Sequence, residues 1–157
     1  MKTSLNHILA AGALALGMGH AIAADSSAAA DEKLAAARAK IAAKRWDGAI
    51  DELKRIDDRA SADWNNLMGY SLRKSGTPDL DASEAYYNEA LRIDPKHRGT
   101  LEYSGELYLI KGDVALAEQR LATLDKVCKL PCAEYTRLKR AIERYKGGGG
   151  QAGGKDY

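Results

Sequence analysis

Apolar and small residues recur along the middle of the chain at a fixed spacing of 34 positions. In each copy three of them follow one another at offsets of four and three, which places them on one face of an α-helix. The copies are Ala49, Leu53 and Ile56; Ser83, Tyr87 and Ala90; and Ala117, Leu121 and Leu124. An ordinary helical bundle has no reason to keep this register, so the pattern predicts three equivalent helices in a repeated unit.

Glycines repeat in the helix that precedes each of the last two copies. Gly69 and Gly105 are 36 positions apart, as are Gly76 and Gly112, which exceeds the spacing of the other helix by two. The extra residues fall in segment 77–82, where Thr, Pro and Asp are typical of a turn. The combined pattern predicts helices over 29–45, 47–59, 61–75, 80–93, 97–111, 113–127 and 133–146.

Small residues let the two helices of one unit cross closely. We expect Gly69 to face Ser83, and Gly105 to face Ala117 one unit later. The final helix, 133–146, has an apolar stripe that should dock on the third unit, while its charged residues, Arg137 among them, should face solvent. That stripe consists of Tyr135, Leu138, Ala141 and Ile142.

These positions resemble the tetratricopeptide repeat family over roughly residues 30–130. The matching residues are Trp46, Ala49 and Leu53; Trp64, Gly69, Tyr87, Ala90 and Pro95; and Gly105, Tyr108, Gly112, Ala117 and Leu121. The chain departs from the family pattern at Ala37, Lys44 and Ser104. The resemblance implies an all-α fold over 24–146: three helix–turn–helix repeats (about 30–61, 62–97 and 98–131) in a short right-handed solenoid, closed by a C-terminal capping helix, 133–146.

The first 23 residues have the pattern of a secretory signal peptide. Lys2 precedes an apolar run over 8–18, and Ala21 and Ala23 supply the small residues that a signal peptidase reads. The run is too short to span a bilayer, although a buried helix or an uncleaved anchor is an alternative. We expect cleavage after Ala23 or Ala24 and a periplasmic location. The glycine-rich residues 147–157 should form a flexible tail.

Composition and charge exclude several classes of function. The chain has 157 residues, 24 basic and 22 acidic, and a net charge of +2, which is too weak to indicate nucleic acid or, after signal cleavage, a membrane. No nucleophile, phosphate-binding or metalloprotease motif is present. The one histidine after the signal segment, His97, is expected to be a turn or cap residue. We therefore expect neither an enzyme nor a cofactor.

Two cysteines, Cys128 and Cys132, lie at the junction between the third unit and the final helix. Cysteines of an exported protein usually pair, and Pro131 interrupts the helix between them so that they can approach. We expect a structural disulfide that holds the final helix to the array. A redox site, or Cu(I) on two thiolates, is the alternative.

The resemblance also implies where a partner binds. In this family the first helices of the repeats line a concave groove that holds segments of other proteins. Carried over by position, the groove residues are Arg38, Asn66, Tyr70, Arg73, Glu102, Glu106 and Leu109. Arg38, Asn66 and Arg73 would hold a carboxylate or backbone, while Tyr70 and Leu109 would make apolar contacts. The alternative is that they are merely solvated helix positions.

The predicted function is therefore that of an exported adaptor, which binds another protein or peptide of unidentified sequence. Two other functions stay open. One is a periplasmic metal or redox accessory protein that uses the cysteine pair. The other is a structural subunit whose helix stack continues into a partner or a second copy.

Overall fold

The computed structural model describes residues 22–130 and 132–148, with side chains from Glu32 onward. These residues form seven α-helices and no β-strand, which confirms the predicted all-α class. Most of the predicted signal peptide, residues 1–21, and most of the predicted tail, residues 149–157, lie outside the described residues. The helices are α1 (Ile22–Ala42), α2 (Trp46–Ile56), α3 (Ala62–Lys74), α4 (Leu80–Ile93), α5 (Arg98–Ile110), α6 (Val114–Val127) and α7 (Ala133–Gly147).

Helices α2 to α7 begin and end within three residues of the predicted bounds. The exception is α1, which begins at Ile22 rather than at 29, because the alanine-rich segment favours helix. Helix α2 ends earlier than predicted since Asp57 takes a left-handed conformation with a φ of 47° and its N–H donates to the Leu53 carbonyl. Local backbone geometry, rather than the apolar pattern, therefore sets these two ends.

The turn between α1 and α2 keeps its shape without a glycine. Lys44 has a φ of 54°, and Gly112, in the turn between α5 and α6, has a φ of 81°. A left-handed conformation costs a residue with a Cβ about 1–2 kcal/mol relative to glycine. The departure from the repeat pattern at Lys44 is thus tolerated at some cost in stability.

Side chains cap four of the helices at their N-termini. Each accepts a hydrogen bond from the backbone N–H three residues later, the arrangement that satisfies an otherwise unpaired donor. The four capping residues are Ser61, Asp79, His97 and Asp113. The prediction that His97 is a cap residue is therefore confirmed.

Contacts divide the chain into two units, residues 1–32 and 33–157, and only a short helical backbone of the first is described. In the second unit, adjacent helices pack on one another as in a helical repeat array: α3 along α4, α5 along α6, and α7 against both α5 and α6. Two apolar clusters hold them. The first contains Leu34, Ala37, Ile50, Leu53, Trp64, Leu67 and Met68. The second contains Leu101, Tyr108, Leu109, Ala117, Leu124, Leu138, Ala141, Ile142 and Tyr145.

Close helix crossings occur at both glycines of the repeat, but with different neighbours. A methyl group on Gly69 would lie 2.8 Å from the ring of Tyr87 and 3.0 Å from the Ser83 carbonyl, as predicted for this crossing. A methyl group on Gly105 would lie 2.6 Å from Leu138 of α7. The atoms nearest to this position therefore belong to Leu138 of α7, which the sequence did not predict, while Ala117 is fully buried in the same apolar cluster.

The two cysteines form a disulfide, Cys128–Cys132, which confirms the predicted pairing. Cys128 follows the last residue of α6 and Cys132 precedes the first residue of α7. The bond therefore closes the turn between α6 and α7. It also leaves neither cysteine as a free thiolate ligand in this state.

Candidate partner-binding surface

Three aromatic side chains from successive parts of the array lie side by side and stay partly exposed. Trp46 begins α2, Tyr70 lies near the end of α3, and Tyr103 lies in the middle of α5. The ring centroids of Trp46 and Tyr70 are 5.8 Å apart in an edge-to-face arrangement, and those of Tyr70 and Tyr103 are 4.5 Å apart. We call these three residues the aromatic row. Such contacts hold the rings in fixed positions.

The buried side chain of Arg73 lies against two rings of the aromatic row. The Arg73 side chain is 0% exposed, and its guanidinium carbon lies 5.5 Å from the ring centre of Tyr70 and 5.9 Å from that of Tyr103. Nη2 of Arg73 donates to Oε2 of Glu106 at 2.8 Å. A cation at this distance from two aromatic faces is attracted to both, and the carboxylate compensates its burial. The row therefore rests on a rigid charged pair.

Two further side chains with polar groups, one on α3 and one on α4, are buried. Burial raises the pKa of Tyr87 to about 12, while the charge of Arg73 and hydrogen bonds with Arg73 and Ser83 oppose that shift. Elsewhere on α3, Oδ1 of Asn66 is buried and has no hydrogen-bond partner among the described residues. Polar groups in folded proteins are rarely buried without partners, so such a group marks a place that needs a functional account.

The tyrosines of the row are neutral at physiological pH. Burial raises the pKa of Tyr103 to about 12, and burial likewise raises the pKa of Tyr70. Neither hydroxyl forms a hydrogen bond within the part of the chain that the structure describes. Both are therefore able to donate a hydrogen bond to an outside acceptor.

The predicted residue Glu102 sits under α7 rather than in an open groove. Its side chain is 2% exposed and accepts hydrogen bonds from Nε and Nη2 of Arg137, the latter at 2.7 Å. Burial raises the pKa of Glu102, while Arg137 opposes that shift. Arg137 is thus half exposed, as expected in part, but it also pairs with Glu102, whose charge requires a partner once α7 covers it.

The other predicted residues have varied positions. Leu109 is fully buried in the second cluster and offers no side-chain surface in this conformation. Arg38 is partly exposed, and its Nη2 lies 3.4 Å from Oδ1 of Asp63 at the start of α3. Asn66 is buried next to Gly99. Among the predicted residues, the structure therefore gathers Tyr70, Arg73 and Glu106 into one site, while Arg38 pairs with Asp63 and Leu109 is buried in the core.

Two members of the row were not predicted. Tyr103 lies three residues before Glu106, one helical turn away on the same face, so helical spacing alone could have identified it. No comparable signal marks Trp46. Its contact with Tyr70 depends on how α2 crosses α3, which a single sequence does not give.

Residues 22–130 and 132–148 contain neither a candidate metal site nor a candidate membrane span. No cluster of three or more His, Cys, Asp or Glu side chains could hold a metal ion there. None of the helices there combines the length and apolar character needed to cross a membrane.

No model of a known protein family matches the chain, and no curated protein is similar to it in sequence. The resemblance to tetratricopeptide repeats therefore stays a prediction.

Proposed function

We propose that this protein is an adaptor of the tetratricopeptide repeat type, which binds an extended segment of another protein on the aromatic row. One observation carries the proposal: three partly exposed rings from α2, α3 and α5 lie in contact above a fully buried arginine. Fixed aromatic side chains lose little conformational entropy on binding, which is why they dominate the binding energy of many interfaces.

The chemistry of the row favours a particular kind of segment. Its charged support is already paired, since Glu106 neutralises Arg73. The surface thus presents aromatic faces and two neutral hydroxyl donors rather than a net charge. A matching segment has an apolar or aromatic side chain to stack on the row and backbone carbonyls to accept from Tyr70 and Tyr103.

We also propose that the protein acts after export, in the periplasm. The disulfide supports this location, because such bonds persist in oxidising compartments. The signal-like pattern of the first 23 residues supports it independently. Mass measurement of the protein purified from a periplasmic fraction tests it: a chain that begins at Ala24 or Asp25 is expected, and an intact N-terminus in the cytoplasmic fraction would contradict it.

Peptide selection tests the binding proposal without knowledge of the natural partner. Displayed random peptides are selected on the wild-type protein and then measured against Tyr70→Ala/Tyr103→Ala. We expect the selected peptides to share an apolar or aromatic position and to lose at least about tenfold in affinity on this variant. Tyr70→Phe/Tyr103→Phe keeps the rings and should lose less, which separates stacking from hydrogen bonding.

The matched control is Lys139→Ala/Arg140→Ala, two exposed positions on α7 far along the chain from the row. This variant should bind the selected peptides as the wild type does, and circular dichroism should show the same helix content for the wild type and all three double variants. Peptides that bind the Tyr70→Ala/Tyr103→Ala variant undiminished would remove the row as the binding surface.

A further inference from the structure

A second surface lies at the disulfide turn, away from the aromatic row in sequence and composition. It is a cleft of about 480 Å³, bounded on one side by the residues that lead into α5 and on the other by the α6–α7 turn. The lining residues are Lys96, Arg98, Val127, Cys128, Lys129, Leu130 and Cys132. We propose that this cleft binds an acidic segment of a partner protein, one that carries an apolar side chain among its carboxylates.

Unpaired positive charge is the first reason. Lys96, Arg98 and Lys129 are exposed, and none of them forms an ion pair with a described residue. The nearest acidic group in sequence, Asp94, accepts a hydrogen bond from the Lys96 backbone N–H and so caps the turn. The lining contains three cations and no acid. These like charges repel one another, and carboxylates placed between them would relieve that repulsion.

Basic residues elsewhere on the surface follow no single rule. Arg92 pairs with Glu89 and Lys146 with Glu118, whereas exposed residues such as Lys54 form no ion pair with a described residue. A single unpaired cation is therefore ordinary here. The cleft differs because three such cations line one concavity beside an exposed leucine, and we attribute this combination to a ligand.

Exposed apolar surface is the second reason. Leu130 is 79% exposed, and no other large hydrophobic side chain in the described part of the chain is similarly exposed. Val127 and the disulfide lie beside it in the cleft. A purely anionic ligand would leave Leu130 in water, whereas an apolar side chain of the ligand would cover it. The occupant therefore needs both kinds of group.

The start of α7 adds to the same field. Cys132 is the N-cap residue of α7 and makes no side-chain capping bond, so the first backbone N–H groups of the helix lack that partner. The positive end of the helix dipole thus points toward the lining residue Cys132. The disulfide fixes Lys129 and Leu130 within a short closed loop. Reduction of the disulfide should loosen this loop and weaken the binding of the acidic segment.

Fluorescence anisotropy with a defined probe tests the proposal. The probe is a labelled dodecapeptide of repeating Glu-Glu-Leu, compared with Glu-Glu-Ser and Gln-Gln-Leu peptides of the same length. We expect the first to bind with at least about tenfold higher affinity than either of the others, and its affinity to fall as salt is raised. Binding of the Glu-Glu-Leu probe too weak to detect at millimolar protein would overturn the proposal.

Charge reversal locates the site. Lys96→Glu/Lys129→Glu should weaken probe binding at least about tenfold, and Leu130→Ser should weaken it about threefold or more. The matched control, Lys139→Glu/Arg140→Glu, makes the same change in net charge on exposed residues of α7 and should retain more than half of the wild-type affinity. Equal losses in both double variants would mean nonspecific attraction and would refute a built site.

Two further variants separate this cleft from its neighbours. Cys128→Ser/Cys132→Ser should bind the probe several-fold more weakly while keeping the helix content of the wild type. Tyr70→Ala/Tyr103→Ala, which removes the proposed adaptor surface, should leave probe binding unchanged. Loss of probe binding in this last variant would place the acidic segment on the aromatic row and remove the cleft as a separate site.

Discussion

Replacing Arg137 by Ala removes both hydrogen bonds that the buried Glu102 carboxylate receives from α7. Breaking a buried pair in this way commonly costs about 3–5 kcal/mol, because the remaining charge stays without compensation. Here the cost has a ceiling, since Glu102 can take up a proton instead. With an ordinary pKa of 4.5, that protonation costs about 3.4 kcal/mol at pH 7.

The expected loss lies below this ceiling. The Arg137 side chain is 53% exposed, so water can reach the carboxylate once the arginine is removed. We therefore expect Arg137→Ala to lower the free energy of unfolding by about 2 kcal/mol at pH 7. At pH 5 the cost of protonation falls to about 0.7 kcal/mol, and the loss should shrink to that level or below.

The direction with pH follows from proton linkage. In the variant, the folded state raises the pKa of Glu102 above its unfolded value, so the folded protein binds the proton more tightly. The penalty is therefore fully present above the raised pKa and disappears as the pH falls below the unfolded value. Most other helix-surface substitutions show no such dependence.

Urea unfolding, followed by circular dichroism at pH 7 and at pH 5, measures both quantities. Glu102→Gln should recover most of the stability lost in Arg137→Ala, because the neutral amide no longer requires a cation. Arg140→Ala, on the exposed side of the same helix, should cost less than about 0.5 kcal/mol. A loss equally large at both pH values, or no recovery by Glu102→Gln, would refute this account of the pair.

Four further changes test the fold. Gly69→Ala should lower the free energy of unfolding by about 1–3 kcal/mol, because the added methyl group would press on the buried ring of Tyr87 and on a carbonyl of α4. Gly76→Ala, which has open space around the added methyl group, should not destabilise the fold. Thermal unfolding compares the two variants, and equal effects would contradict the close crossing at Gly69. Lys44→Gly should stabilise by about 0.5–1 kcal/mol in urea unfolding, since the left-handed conformation no longer costs strain. His97→Ala should cost about 1 kcal/mol through loss of the α5 cap. The hydrogen bond from His97, with the charge of Arg38, lowers the pKa of Asp63. The free energy of unfolding should therefore fall less steeply below about pH 3.8 in Asp63→Asn than in the wild type. The same pH dependence in both proteins would argue against the contact.

Much of the fold follows from the sequence, because its information is local and repeated. Positions such as Leu53 and Tyr87 recur at one spacing, and several turns between helices contain residues that favour them, such as Pro78 and Gly112. The bounds of six helices could therefore be predicted closely. The early start of α1 could not, since alanine-rich sequence is compatible with both a helix and a processing segment.

The candidate site was only half predictable. Tyr70, Arg73 and Glu106 follow from their places relative to Gly69 and Gly105, and the structure brings them together. Contacts between helices distant in sequence could not be read this way. The pairing of Glu102 with Arg137 and the burial of Leu109 both depend on how α7 lies across α5, which no local pattern specifies.

The way in which α7 covers α5 limits how the array can grow. Leu138 fills the space at Gly105 and Arg137 neutralises Glu102, so α7 already occupies this face of α5. The outward residues of α7, Lys139 and Arg140 among them, are charged. Head-to-tail stacking onto this end would have to bury them, which opposes filament formation there. Lengthening the array by internal duplication would accordingly require new helix pairs to be inserted ahead of α7.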